Sequence, residues 1–235
     1  MLMPEFWEKY FKTYDVLNEV VPYQQLIDRI IQEARITDGM TVLDAGVGTG
    51  NVPIQMKKAY THIRIIGIDT AQEGLDRWKT KDAHAESFVH NIQNILPFER
   101  NFFDVVVSNN ALYTISRDKR TQVVKEFYRV IKPGGTIVIA NLKKGFSPFA
   151  IYTAHVKTEL REKGFIQTTA KIIRMLPETL KMFYYNALIQ KEHAFGKFDF
   201  FEKGEQRQLL HTAGFQTGDE ISVYAHQGLL VVGTK

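Results

Sequence analysis

Val42-Leu43-Asp44-Ala45-Gly46-Val47-Gly48-Thr49-Gly50-Asn51 is the stretch on which the fold turns: a short apolar run passes directly into three alternating glycines. Glycines permit positive φ and remove side chains that would hold a ligand away from the main chain. The spacing therefore predicts a strand followed by a turn built for close backbone approach. Asp44, at the carboxyl end of that strand, lies where open α/β sheets bind their ligands.

Working outward, β-branched and apolar runs recur at Ile63 to Asp69, Phe103 to Ser108 and Thr136 to Ala140, with helical segments between them. This alternation predicts βαβ units and a largely parallel sheet covered on both faces. Val123, Phe127 and Val130 repeat at helical spacing within Lys119 to Ile131, and Lys132-Pro133-Gly134-Gly135 ends that helix as a structural turn. Gly145 to Lys203 breaks the rhythm with an aromatic-rich, helical-looking insertion. A helix over Gln206 to Ala213, stopped by Gly214, and two strands near Ile221 to Tyr224 and Leu229 to Val232 complete the chain. We find no internal repeat.

The chain has 235 residues, 44% hydrophobic and 24% charged, the profile of one folded α/β domain. Glu5, Glu8, Lys9 and Lys12 interrupt the N-terminus, so it lacks the apolar core of a secretory signal, and no run approaches the roughly 18 apolar residues of a membrane span. A cytoplasmic protein is expected. With no cysteine, disulfides, thiol nucleophiles and thiolate metal sites are excluded. Histidines 62, 84, 90, 155, 193, 211 and 226 are scattered without metal-ligand spacing, so no metal is expected. The formal charge of +4 is concentrated in the insertion, where Lys143 to Lys203 carry 11 Lys/Arg against 6 Asp/Glu. That density falls short of a nucleic-acid footprint.

Spacing bears on the ligand. A dinucleotide fingerprint places its third glycine one position later, where this chain has Asn51. The second strand ends in Gly67-Ile68-Asp69, and an acid there can accept both hydroxyls of an adenosine ribose. Together these features indicate an adenosine moiety with no required pyrophosphate.

On these residues the chain resembles the class I S-adenosylmethionine-dependent methyltransferases, particularly the small-molecule branch of ubiquinone and menaquinone biosynthesis. The resemblance covers roughly residues 10 to 142 and resumes at the C-terminal strands. It implies a doubly wound, Rossmann-like, seven-stranded mostly parallel sheet, with the helical insertion at 145–202 as a lid and residues 1–36 as an N-terminal helical cap on a single domain. Asp44, Gly46, Gly48 and Gly50 match the glycine-rich motif, and Asp69, followed by Thr70, takes the ribose position. Phe88-Val89-His90-Asn91-Ile92 matches the adenine-contacting segment with Asn91, rather than an acid, at the matching position, beside Ile92. An amide carbonyl can still accept from an adenine amino group, without charge assistance. Asn109 ends the strand that meets the methionine part. Tyr14-Asp15 is similar to a Tyr-Asp pair placed over the cofactor.

The implied reaction is in-line methyl transfer from S-adenosyl-L-methionine to a small acceptor, leaving S-adenosyl-L-homocysteine. Tyr10, Tyr113 and His155 are the candidate acceptor contacts. His155 and His193 are the candidate bases for a hydroxyl acceptor, and no catalytic residue is assigned. The insertion's aromatics suit an apolar or ring-bearing acceptor, while its cations leave open an acidic group on the acceptor or an anionic membrane surface. A nucleic-acid methyltransferase is disfavoured because Ser108-Asn109-Asn110-Ala111 stands where such enzymes carry Asn/Asp-Pro-Pro-aromatic. A non-catalytic adenosyl-cofactor-binding protein and a nicotinamide-dependent oxidoreductase remain as alternatives. Oligomeric state is not legible.

Overall fold

The computed structural model describes residues 4–235 except Lys197, so the first three residues of the expected cap lie outside the described part. Five parallel strands form the centre: β1 (Thr41–Ala45), β2 (Arg64–Asp69), β3 (Glu86–Val89), β4 (Phe103–Asn109) and β5 (Ile131–Leu142). The remaining strands are β6 (Gln216–Thr217), β7 (Ile221–Val223) and β8 (Gly228–Thr234). The order is β3-β2-β1-β4-β5-β8-β6, with β7 also paired to β8. Since β6 and β7 pair with successive parts of β8 in antiparallel sense, they act as one interrupted edge strand. The doubly wound, mostly parallel α/β sheet expected from the sequence is the one observed.

Val42 through Ala45 are all buried, and successive strand residues point to opposite faces, so helices cover both sides of β1. Seven helices do this: α1 (Pro4–Tyr14), α2 (Val21–Ala34), α3 (Asn51–Ala59), α4 (Gln72–Lys81), α5 (Arg117–Val130), α6 (Pro148–Ala194) and α7 (Glu205–Ala213). The expected stop of α7 is met: Gly214 adopts φ 109 and its N–H returns to the last turn, a conformation costly for any other residue. The Pro-Gly-Gly turn lies at the amino ends of the strands, where Gly134 N–H donates to the Lys235 carbonyl at 2.8 Å.

Two elements departed from expectation. β3 was not anticipated as a strand because it is an edge with Phe88 and Val89 exposed, so it lacks a continuous apolar run. The insertion is dominated by one element, α6, broken at Gly164 (φ 76, ψ 176). Ser147 caps its start by accepting the Ala150 N–H at 3.2 Å, with Pro148 in the first turn, a pairing suited to helix N-termini. Among the described residues no helix is long and apolar enough to cross a membrane.

Candidate functional site

A cavity of about 370 Å³ opens at the carboxyl ends of β1, β2 and β4, roofed by α1 and α6. The glycine turn forms its floor. Gly46 and Val47 donate their N–H groups to the Ile68 carbonyl at 2.8 and 3.1 Å, which fastens the turn to β2. Gly46 sits at φ 89, and a Cβ there would lie 2.4 Å from that of Ala111. Only glycine fits.

Of the residues singled out from sequence, Tyr10, Tyr14, Asp44, Gly46, Gly48, Asp69, Thr70, Asn91, Ile92, Asn109 and Tyr113 all line this cavity. Asp69 accepts the Gly48 N–H on Oδ2 and the Ala71 N–H on Oδ1, each at 2.9 Å. A carboxylate has about four acceptor sites, so two remain for hydroxyl donors. Asn91 Oδ1 accepts the Gln93 N–H at 2.9 Å, which orders the loop and leaves the carbonyl a second lone pair. Asn109 Oδ1 and Asp44 Oδ1 are buried with no partner in the protein.

Gly50 and His155 do not line the cavity. Gly50 (φ 75) opens α3, and a Cβ there would fall 2.2 Å from the ring of the fully buried Trp78; packing demands the glycine. His155 is fully buried at the seam with α2, where its Nδ1 accepts the Val21 N–H at 3.3 Å, one of the N–H groups that a helix start leaves unpaired. Burial, followed by Lys171, lowers its pKa. His193 is also turned away: its Nδ1 donates to the Phe198 carbonyl at 2.5 Å. Neither candidate base reaches the cavity.

Several lining residues escaped the sequence reading. His90 contributes a buried, unpartnered Nε2. The second arm of α6 supplies Thr179, Met182, Phe183 and Asn186, where an apolar helix carried no motif to mark it. Asp15 forms a latch. Its Oδ1 accepts the Thr49 hydroxyl at 2.7 Å and pairs with Lys81 at 2.8 Å, tying the segment after α1 to the glycine turn across 34 residues of sequence. Asp15→Ala should loosen this roof. A partly exposed hydrogen bond and ion pair of this kind contribute about 1 kcal/mol, so calorimetry should find the site's ligand bound roughly fivefold more weakly, with little change in melting temperature.

The electrostatics are one-sided. Among the described residues lining the cavity, Asp44 and Asp69 are the carboxylates, and no lysine or arginine is present. Asp44, 2% exposed, has its pKa pushed up to about 8, by burial first and by the charge of Asp69 second. An unfolded aspartate ionises near 3.9, so between about pH 4 and pH 8 the folded state keeps a proton that the unfolded state has lost. Stability therefore falls as pH rises across that window. Thermal melts of the ligand-free protein should show this fall, and Asp44→Asn should flatten it. Burial likewise raises the phenols of Tyr10, Tyr14, Tyr113 and Tyr224, and Tyr23 to about 12. These hydroxyls remain neutral donors at physiological pH.

An adenosyl sulfonium cofactor fits this set of groups. Its cationic part meets two carboxylates without a competing cation, its ribose hydroxyls meet the free acceptor sites of Asp69, and the glycine turn leaves room for close approach. A dinucleotide fits less well, since Asn51 holds a side chain at the third fingerprint position, its Oδ1 engaged by Asn18 at 2.9 Å and Lys81 at 3.0 Å.

Residues 43–139 match the family model described as a methyltransferase domain. The fold is that of the S-adenosylmethionine-dependent methyltransferases: a solved enzyme of that class from Aquifex aeolicus superposes with a TM-score of 0.62 at 18% identity, over 100% of this chain and 99% of that one. The resemblance to the small-molecule branch holds as well. A demethylmenaquinone methyltransferase of Staphylococcus saprophyticus is 34% identical over 141 residues, 57% of this chain and 60% of that protein's length. One from Staphylococcus haemolyticus is 28% identical over 210 residues, covering 86% and 80%. In the first of these matches the chain thus spans well under two thirds of its relative.

Proposed function

We propose that this chain transfers a methyl group from S-adenosyl-L-methionine to a neutral, apolar, ring-bearing small molecule, a quinol of the demethylmenaquinone type being the acceptor class its relatives suggest. The observation that carries this reading is the buried Asp44 with an unpartnered oxygen, in a cavity whose described lining holds two carboxylates and no cation. Asp44, the backbone at Gly46 and Gly48, Asp69, Thr70, Asn91, Ile92, Asn109 and Tyr14 would hold the cofactor, which when bound supplies a methyl group activated by a sulfonium. Tyr10 and Tyr113 face the acceptor side, and their neutral phenols can donate to an acceptor oxygen. Anionic acceptors find no counter-charge there, and burying an unpaired charge costs several kcal/mol.

In this reading the chain is one domain, residues 1–36 cap the cofactor and 145–202 form the lid. Excluding water and holding the reactants in line can supply much of the rate, which suits a site whose insertion histidines point elsewhere. The protein acts in the cytoplasm and not on nucleic acid. Incubation with methyl-labelled cofactor and a panel of reduced naphthoquinones, phenols and carboxylate or phosphate analogues tests it. Label should enter the neutral ring acceptors only. Preferential labelling of anionic acceptors, or tight cofactor binding with no transfer to any member, would contradict it.

A further inference from the structure

The second arm of α6, residues 165–194, is apolar on two opposite faces. One face is packed inward through Met175, Thr179, Met182 and Ile189, all buried. The other carries Ile166, Ile173, Leu176, Leu180 and Tyr184, which are 83%, 66%, 45%, 60% and 62% exposed. At 100° per residue these five fall within an arc of about 80°, a coherent stripe. Scattered exposed apolar residues are normal, but a contiguous stripe marks an interaction surface.

Charge selects the occupant. Arg174, Lys181 and Lys191 lie beside or within the stripe, whereas the acid of this arm closest to it, Glu178, sits farther round the helix and is already engaged by Lys181 at 2.6 Å and by Thr13. Two copies pairing through this face would bring like charges together. A surface both apolar and negative satisfies both components. We propose that this stripe docks on an anionic lipid bilayer, with the aliphatic and aromatic side chains entering the headgroup boundary and the cations meeting lipid phosphates. The inner face of the same arm lines the cavity through Met182 and Phe183, so the docked helix would be the wall between bilayer and site. Its use in delivering a lipophilic acceptor rests on the methyl-transfer reading; the docking itself does not.

Co-sedimentation of the full chain with vesicles tests the docking. Binding should be at least tenfold stronger to phosphatidylglycerol/phosphatidylcholine vesicles than to phosphatidylcholine alone, and should weaken with salt. Ile173→Glu/Leu180→Glu should abolish it, and Lys181→Glu/Lys191→Glu should reduce it about tenfold. All four positions are exposed and none lines the cavity, so melting temperature and cofactor affinity by calorimetry should not change. No binding to anionic vesicles, equal binding to neutral ones, or equal binding by the variants would overturn the proposal. So would light scattering that shows a dimer dissolved by the Ile173→Glu/Leu180→Glu change. Vesicle binding requires neither cofactor nor acceptor, so failure here and failure of the methyl-transfer reading are separate results.

Discussion

Replacing Asp69 with alanine is expected to weaken binding of S-adenosylmethionine by about two orders of magnitude. Two of its acceptor sites are taken by the Gly48 and Ala71 N–H groups, and the other two are free for ribose hydroxyls. Hydrogen bonds to a charged acceptor contribute about 1.5–3 kcal/mol each, and losing both corresponds to roughly 100-fold or more in the dissociation constant. The freed Gly48 N–H would also slacken the turn. Asp69→Asn, which keeps the shape and an acceptor oxygen, should fall between the two. Calorimetric titration of the three proteins, alongside their melting curves, separates binding from folding. A loss smaller than fivefold in a folded alanine variant would remove Asp69 from the site.

The largest stability effect should come from Gly50→Ala. At φ 75 the new Cβ would meet Trp78 ring carbons at 2.2 Å, and Trp78 cannot yield, because on its far side a Cβ at Gly67 would lie 2.3 Å away. A left-handed conformation costs an alanine about 1–2 kcal/mol, and overpacking a full core adds roughly 1–3. The sum of about 3–5 kcal/mol lowers the melting temperature of a chain this size by around 10 °C. Gly48→Ala offers the contrast. Its Cβ would meet only the edge of the Phe11 ring at 3.0 Å, so it should fold with a smaller penalty while obstructing the cavity it lines. Scanning calorimetry checks both; a fall under 2 °C for Gly50→Ala would refute the packing role.

This contrast shows how far the sequence could be read. Three alternating glycines after an apolar run announced a turn made for a ligand, and Gly46 and Gly48 bear that out in position, but nothing in the motif separated them from Gly50, whose reason is a tryptophan 28 residues away. Local patterns carried the sheet because buried parallel strands are continuous apolar runs. β3 was missed because an edge strand need not be one. The insertion was legible as helical and aromatic. Which of its residues turn inward was not, since an arm apolar on two faces has no single periodic stripe to orient it. His155 looked available as a lone polar group, and its burial against the first turn of α2 could be seen only once both helices were placed. The Asp15 to Thr49 latch, a long-range pairing of ordinary polar residues, leaves no sequence signal beyond the Tyr14-Asp15 pair itself.

The central claim is that the cavity over Asp44 receives a cationic adenosyl cofactor. Titrating the purified protein with S-adenosylmethionine, with NADH as competitor, in buffers of differing ionisation enthalpy tests it most directly. A cation placed against Asp44 favours its ionised form, so the account predicts saturable binding that NADH does not displace, accompanied near pH 7 by release of a proton that Asp44→Asn abolishes. A folded protein that fails to bind S-adenosylmethionine, or that binds NADH in its place, would contradict the account.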